Sequence, residues 1–246
     1  MDKRFWAFLL IIAAVLGGIF FITNTNKAGA PSESKGTATN HVTGEGASKV
    51  TLVEYGDFQC PACGAAYSPV KQVKEKYAKE IKFQFRNFPL SSIHPNAIAA
   101  SRAAEAADLQ GKFWEMHDKL YEENITLLMA QQSQKQYQTW SNASNPSDIF
   151  NGYARDLGLD VEKFKQDFKS SLVNDRVQAD LKEGTRLGVD STPTFFLNGK
   201  KISNPENTLE AFSKVIDAEI VKQGGTPPAS TPAAAPGTTP TAQPGQ

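Results

Sequence analysis

The chain has 246 residues, with 26 Lys and Arg against 26 Asp and Glu and a formal net charge of zero. The basic side chains are interleaved with acids as on a solvated surface, so no electrostatic footprint for nucleic acid is present. Two cysteines, three positions apart, do not make a disulfide framework, and the globular stretch is long enough to bury a core without one.

In chain order, Phe5 to Ile22 carries no charge, and as a helix it spans roughly 27 Å, close to a bilayer's hydrocarbon thickness. Lys3 and Arg4 precede it, and the positive-inside rule then sends the rest of the chain across the membrane. The competing reading is a signal peptide cut after Ala28-Gly29-Ala30. The length of the run, and Pro31 after that site, favour a retained single-pass anchor. Both readings place the domain on the extracytoplasmic side, secreted or periplasmic if the segment is cleaved, where disulfides persist. Residues 23–47 read as a polar, flexible tether.

Residues 48–223 have globular composition and read as one domain. Lys49 to Tyr55 is a strand by its apolar, β-branched run, Pro61 to Lys79 a helix, and Ile81 to Phe88 a second strand by its alternation. From about residue 95 to 187 the texture is helical. Ala97 to Ala107 is alanine-rich, and Phe113, Trp114, His117, Leu120 and Tyr121 recur at helical spacing and read as core. Further helices fall at Ser147 to Leu157, Val161 to Phe168 and Asp175 to Leu187. Thr194 to Leu197 is a short strand, Asn198-Gly199 a hairpin turn, Lys200 to Ser203 the return strand, and Pro205 and Glu206 open a last helix ending near Gln223. Residues 224–246 form a Pro-, Thr- and Ala-rich tail that reads as disordered. The order β, α, β, helices, β, β, α implies an α/β fold: a parallel crossover, a helical insertion, and an antiparallel hairpin that extends the sheet.

The chemistry centres on Phe58-Gln59-Cys60-Pro61-Ala62-Cys63, where the first strand gives way to a helix. Pro61 suits the first helical turn, which leaves Cys60 at the helix N-terminus facing unbonded amides and the positive end of the dipole. A thiolate is stabilised there, while Cys63, one turn further in, is shielded. The bridge would close too short a loop to stabilise the fold much, so the pair reads as reactive rather than structural. A metal site is the rival reading. Zinc takes four ligands and one C-x-x-C supplies two, while His41 falls in the tether and His94 and His117 in helical contexts, so no metal or cofactor is expected. Glu54, six residues before Cys60 on the face of Val50 and Leu52, is expected to be buried with a raised pKa and to exchange a proton with Cys63; the plain alternative is a half-exposed strand-end acid. Pro193 precedes a strand. Most such prolines are trans, and a cis Thr192–Pro193 bond becomes a sensible expectation only together with the C-x-x-C.

Taken together these residues resemble the DsbA-like branch of the thioredoxin superfamily. The resemblance rests on the run from Val53 to Cys63, on His94-Pro95-Asn96-Ala97 and on the run from Thr192 to Gly199. It implies a thioredoxin-like fold interrupted by a helical domain, with Cys60 as the attacked or attacking sulfur, Cys63 as its partner, Pro193 in cis beside them and Glu54 as the buried acid. Thr192, with Pro61 and Ala62, is then the surface that meets substrate. The implied partners are exported proteins with cysteine thiols and a membrane redox protein that reoxidises the pair. DsbA itself carries His within its C-x-x-C dipeptide, whereas Pro61-Ala62 offers the thiolate no charge. A reductase or isomerase, and a redox-inert binding or metal-carrying module on the same scaffold, are the alternatives.

Overall fold

A computed structural model describes residues 38–203 and 205–229. Val50–Gly56 (β2) is the apolar, β-branched strand that the sequence announces, and it lies at the centre of a sheet ordered β1-β3-β2-β4-β5. The others are His41–Thr43 (β1), Ile81–Asn87 (β3), Thr194–Leu197 (β4) and Lys200–Lys201 (β5). β2 and β3 are parallel, joined through the helix Pro61–Lys76 (α1), and every other pair is antiparallel. Between β3 and β4 run Ala97–Asp108 (α2), Phe113–Gln132 (α3), Ser147–Asp156 (α4), Val161–Lys169 (α5) and Ser171–Arg186 (α6), and Leu209–Lys222 (α7) closes the order. This is the thioredoxin-like mixed sheet with a helical insertion.

Register decides what lies beneath the cysteine pair. Leu52 stands opposite Phe83 and Leu197, and Glu54 opposite Phe85 and Phe195. Successive strand residues point to opposite faces, so Val50, Leu52 and Glu54 share a face with these aromatic and aliphatic partners. That face packs into the main core with Val70 and Val73 of α1, Tyr121 of α3, and Phe212 and Ile216 of α7. On the other face Tyr55, Phe88, Val189 and Phe196 form a smaller cluster. Helix α6 closes on it at Gly184, where an added Cβ would come within 2.7 Å of Phe88 and 2.9 Å of Tyr55. The alanines of α2 serve the same end: Ala100, Ala103, Ala104 and Ala107 are fully buried, and α2 touches α3, α4, α5 and α6.

Several boundaries differ from the sequence expectation. The tether read as reaching Ala47 ends earlier, because His41–Thr43 pairs antiparallel with Phe83–Phe85 at the sheet edge. Three residues are too few to show a period. What holds them is distant in sequence: Thr39 N–H and hydroxyl donate to Asp180 at 2.7 Å each, and His41 Nε2 lies 2.7 Å from Glu105. Helix α6 starts at Ser171, four residues before the expected Asp175, since Ser170 ends α5 and its hydroxyl accepts from Val173 N–H. Helix α7 starts after Thr208, whose hydroxyl caps Ala211 N–H, and not at Pro205. Gly225 N–H bonds Ile220 O, so the start of the expected tail closes that helix. The expected span Phe5–Ile22 and the tail from 230 lie outside the described residues, and among the described residues no helix is long and apolar enough to cross a membrane.

Candidate active site

The turn after β2 delivers Cys60 to the start of α1. Cys60 is the extended N-cap residue (φ −69°, ψ 124°), Pro61 follows at the first helical position, and Gly64 N–H donates to Cys60 O at 3.0 Å. Both cysteines are free thiols; Cys60 is 6% exposed and Cys63 fully buried. No side chain caps the helix, so its first amides are left to the sulfur. Hydrogen bonding with Cys63, and after it with the Thr192 side chain and the amides of Cys63 and Ala62, outweighs burial and lowers the Cys60 pKa to about 5. Cys63 goes the other way: burial, then the neighbouring Cys60 and Glu54, push its thiol well above the ordinary value. Its sulfur accepts from Asp57 N–H at 3.5 Å.

Glu54 is 4% exposed, so the half-exposed alternative does not hold; burial, with Lys74 opposing, raises its pKa to about 8. The Thr192–Pro193 bond is cis, and Cys60 Sγ–H donates to Thr192 O at 3.4 Å. The fold therefore brings Cys60, Cys63, Glu54, Thr192 and Pro193 to one end of β2 and β4, with Pro61 and Ala62 exposed beside them.

Sequence reasoning passed over the residues that fasten this corner to the helical insertion. Asp57 is fully buried, and its carboxylate accepts from Gln59 N–H (2.8 Å), Leu90 N–H (2.8 Å) and His94 Nδ1 (2.7 Å). Gln59 donates to Ser141 O and accepts from Asn96 N–H, both at 2.8 Å. Asn96 Nδ2 donates to Trp140 O and Ala143 O at 2.9 Å, and Asn124 Nδ2 to Phe58 O at 2.9 Å. His94-Pro95-Asn96 was visible as a motif, but only as the start of a helix.

Among the described residues one group has the spacing of a metal site, and it contains neither cysteine: His41, Glu105 and Asp108, with ligand atoms within 4.8 Å of one another. Both imidazole nitrogens face carboxylates, Nε2 to Glu105 at 2.7 Å and Nδ1 to Asp108 at 3.4 Å. Burial disfavours the charged ring, yet the two acids prevail and raise its pKa to about 9. Arg176 Nη1 adds a further cation 2.8 Å from Asp108. The cluster is an ion-pair clasp.

A dithiol on the first turn of a helix, a cis X-Pro bond against it and a mixed sheet beneath define a protein of the thioredoxin-like class. The chain belongs to the thioredoxin family, whose model, described as Thioredoxin, matches residues 36–218. Its fold is that of the DsbA-like thiol–disulfide oxidoreductases. Oxidised BdbD from Bacillus subtilis superposes with a TM-score of 0.60 at 22% identity, covering 76% of this chain and 97% of that one. Alpha-DsbA1 from Wolbachia pipientis gives 0.61 at 20%, covering 75% and 92%. Among curated proteins, Na(+)/H(+) antiporter NhaA 1 of Mycolicibacterium gilvum (strain PYR-GCK) is 37% identical over 168 residues, 68% of this chain and 24% of that protein. Na(+)/H(+) antiporter NhaA 3 of Salinispora tropica is 35% identical over 194 residues, 77% of this chain and 27% of that protein. The chain thus spans about a quarter of the length of these relatives.

Proposed function

We propose that the chain is an extracytoplasmic thiol:disulfide oxidoreductase that oxidises cysteine pairs of exported proteins. The observation that carries this reading is the asymmetry of the pair: Cys60 near 5 at the helix start, and Cys63 far higher one turn in. A substrate thiolate attacks Cys60 Sγ of the Cys60–Cys63 disulfide. A bond forms between substrate sulfur and Cys60, the Cys60–Cys63 bond breaks, and its electron pair goes to Cys63 Sγ. Glu54, protonated at neutral pH by its raised pKa, supplies the proton that Cys63 takes up. A second substrate thiolate then attacks the substrate sulfur of the mixed disulfide, releasing oxidised substrate and the Cys60 thiolate. Thr192–Pro193, with Pro61 and Ala62, forms the surface along which the substrate segment lies.

Cys60 favours oxidation over reduction. A thiolate stabilised in the reduced state leaves readily and makes the disulfide a stronger oxidant. Here the stabilisation comes from Cys63, Thr192 and backbone amides, so the absence of His from Pro61-Ala62 does not remove it. The disulfide must be regenerated by a membrane redox protein that accepts the two electrons. The apolar run Phe5–Ile22 supports membrane anchoring with the domain outside the cytoplasm. A match over 68% of the chain runs largely through residues 36–218, so the segment shared with the antiporters is read as this redox module.

The test is oxidation of a model dithiol peptide by the disulfide form, together with the reduction potential of the couple against glutathione. Turnover lost in Cys60→Ser, with a potential above the glutathione couple, supports an oxidase. A potential well below it assigns the reverse direction, and an inert wild-type protein leaves a binding module.

A further inference from the structure

We propose that the hydroxyl of Tyr121 supplies the hydrogen bond that stabilises the Cys63 sulfur when it carries negative charge during exchange. The proposal deepens the redox reading above and rests on it. Tyr121 stands on α3, is 1% exposed, and its buried hydroxyl makes no hydrogen bond among the described residues. It is aimed at the end of β2: a Cβ added to Gly56 would lie 2.9 Å from Tyr121 Oη. Gly56 follows Glu54 by two residues and precedes Asp57, whose N–H points at Cys63 Sγ. The ring packs on Phe58 (5.0 Å) and on Tyr67 (5.4 Å), one helical turn beyond Cys63 on α1. His117, one turn back on α3, closes the other side at 5.0 Å.

Folding alone does not account for this hydroxyl. A buried donor without a partner destabilises, and phenylalanine would fill the same space at no such cost. Of the polar groups around it, the Asp57 carboxylate already accepts from Gln59, Leu90 and His94, Tyr67 donates to Glu122, and His117 Nδ1 lies 2.8 Å from Asp118, which leaves the two sulfurs and the Glu54 carboxyl. Burial, and then Cys63 before any other charge, hold the phenol well above its ordinary pKa, so it remains a donor. In the exchange step the electron pair of the broken disulfide arrives on Cys63 Sγ. Tyr121 O–H donates to that thiolate without giving up its proton, which comes from Glu54. Asp57 N–H is the other donor to the same sulfur, and the two divide a charge that the buried site otherwise leaves unsolvated.

The test uses the full chain with Tyr121→Phe. The rate at which the disulfide form oxidises a model dithiol peptide should fall about tenfold, the loss of one hydrogen bond to a charged group. Thermal stability should hold or rise, and the pH profile of Cys60 alkylation should not move, because Cys60 is tuned by other donors. An unchanged exchange rate with active wild-type protein overturns this proposal alone, as does a shifted Cys60 profile, which would mark general damage to the motif. An inert wild-type protein overturns the redox reading and this proposal with it. Should Tyr121→Phe fail to fold, 3-fluorotyrosine at 121 gives a stronger donor of nearly the same size. Exchange faster than wild type is then expected, and an unchanged rate overturns the proposal.

Discussion

Cys60 and Glu54 titrate in opposite senses, and each predicts its own pH signature. The reduced protein should react with iodoacetamide at Cys60 with a rate that rises through about pH 5 and is flat by neutrality. Peptide mapping after brief alkylation checks this; modification at Cys63 first, or a midpoint near 8.5, would reverse the assignment. Glu54 carries a stability cost. Its folded pKa of about 8 lies above the ordinary value of 4.5, so between those values the folded state holds a proton that the unfolded state has released. Stability therefore falls as pH rises from about 4.5 to about 8 and is level beyond. At pH 7 the cost is on the order of 3 kcal/mol. Glu54→Leu should accordingly raise the melting temperature at pH 7 but not near pH 4, while slowing disulfide exchange. A buried strand-face acid was legible from the sequence because it broke an apolar run. Tyr121 was legible only as core, because its helical spacing hides the direction in which its hydroxyl points.

At the scale of elements, β1 is a three-residue strand that stays in place through charge. The His41 ring stacks on Phe113 at 3.5 Å and faces Glu105 and Asp108. Its folded pKa is raised, so the stability it contributes is fully present below about 6.5 and is lost as pH rises through about 9. His41→Ala leaves the fully buried Glu105 without this partner and should cost about 3 kcal/mol at pH 6, a penalty that shrinks above pH 9 in urea titrations. The clasp between the motif and the insertion makes a separate prediction. Asn96→Ala removes side-chain bonds to the loop of Trp140, Ser141 and Ala143. Amide exchange in residues 139–143 should speed up while that of β2 and β3 is unchanged, at about 2 kcal/mol overall. Neither fastening could be read from the sequence: a hydrogen bond between Asn96 and a loop 44 positions away leaves no period and no motif.

Over the whole molecule, the sheet order, the crossover and the insertion follow from strand alternation and turn residues. The start of the folded unit did not, because Thr39 is held by the Asp180 carboxylate 141 positions away. A protein trimmed to residues 48–223 loses Thr39 as a partner of Asp180 and His41 as a partner of Glu105, both fully buried acids. It should melt well below one trimmed to 38–229, which should unfold cooperatively; equal melting temperatures would remove β1 from the folding unit. The pairing of β2 with β4 has a consequence for synthesis. Residues 52–55 meet their partners 194–197 only after the intervening helices have been made. Until then one flank of Glu54 is uncovered and Cys60 lacks Thr192 beside it. A chain still emerging from the ribosome carries the two cysteines without the strand that later covers them, and the site is completed with the last strands to be translated.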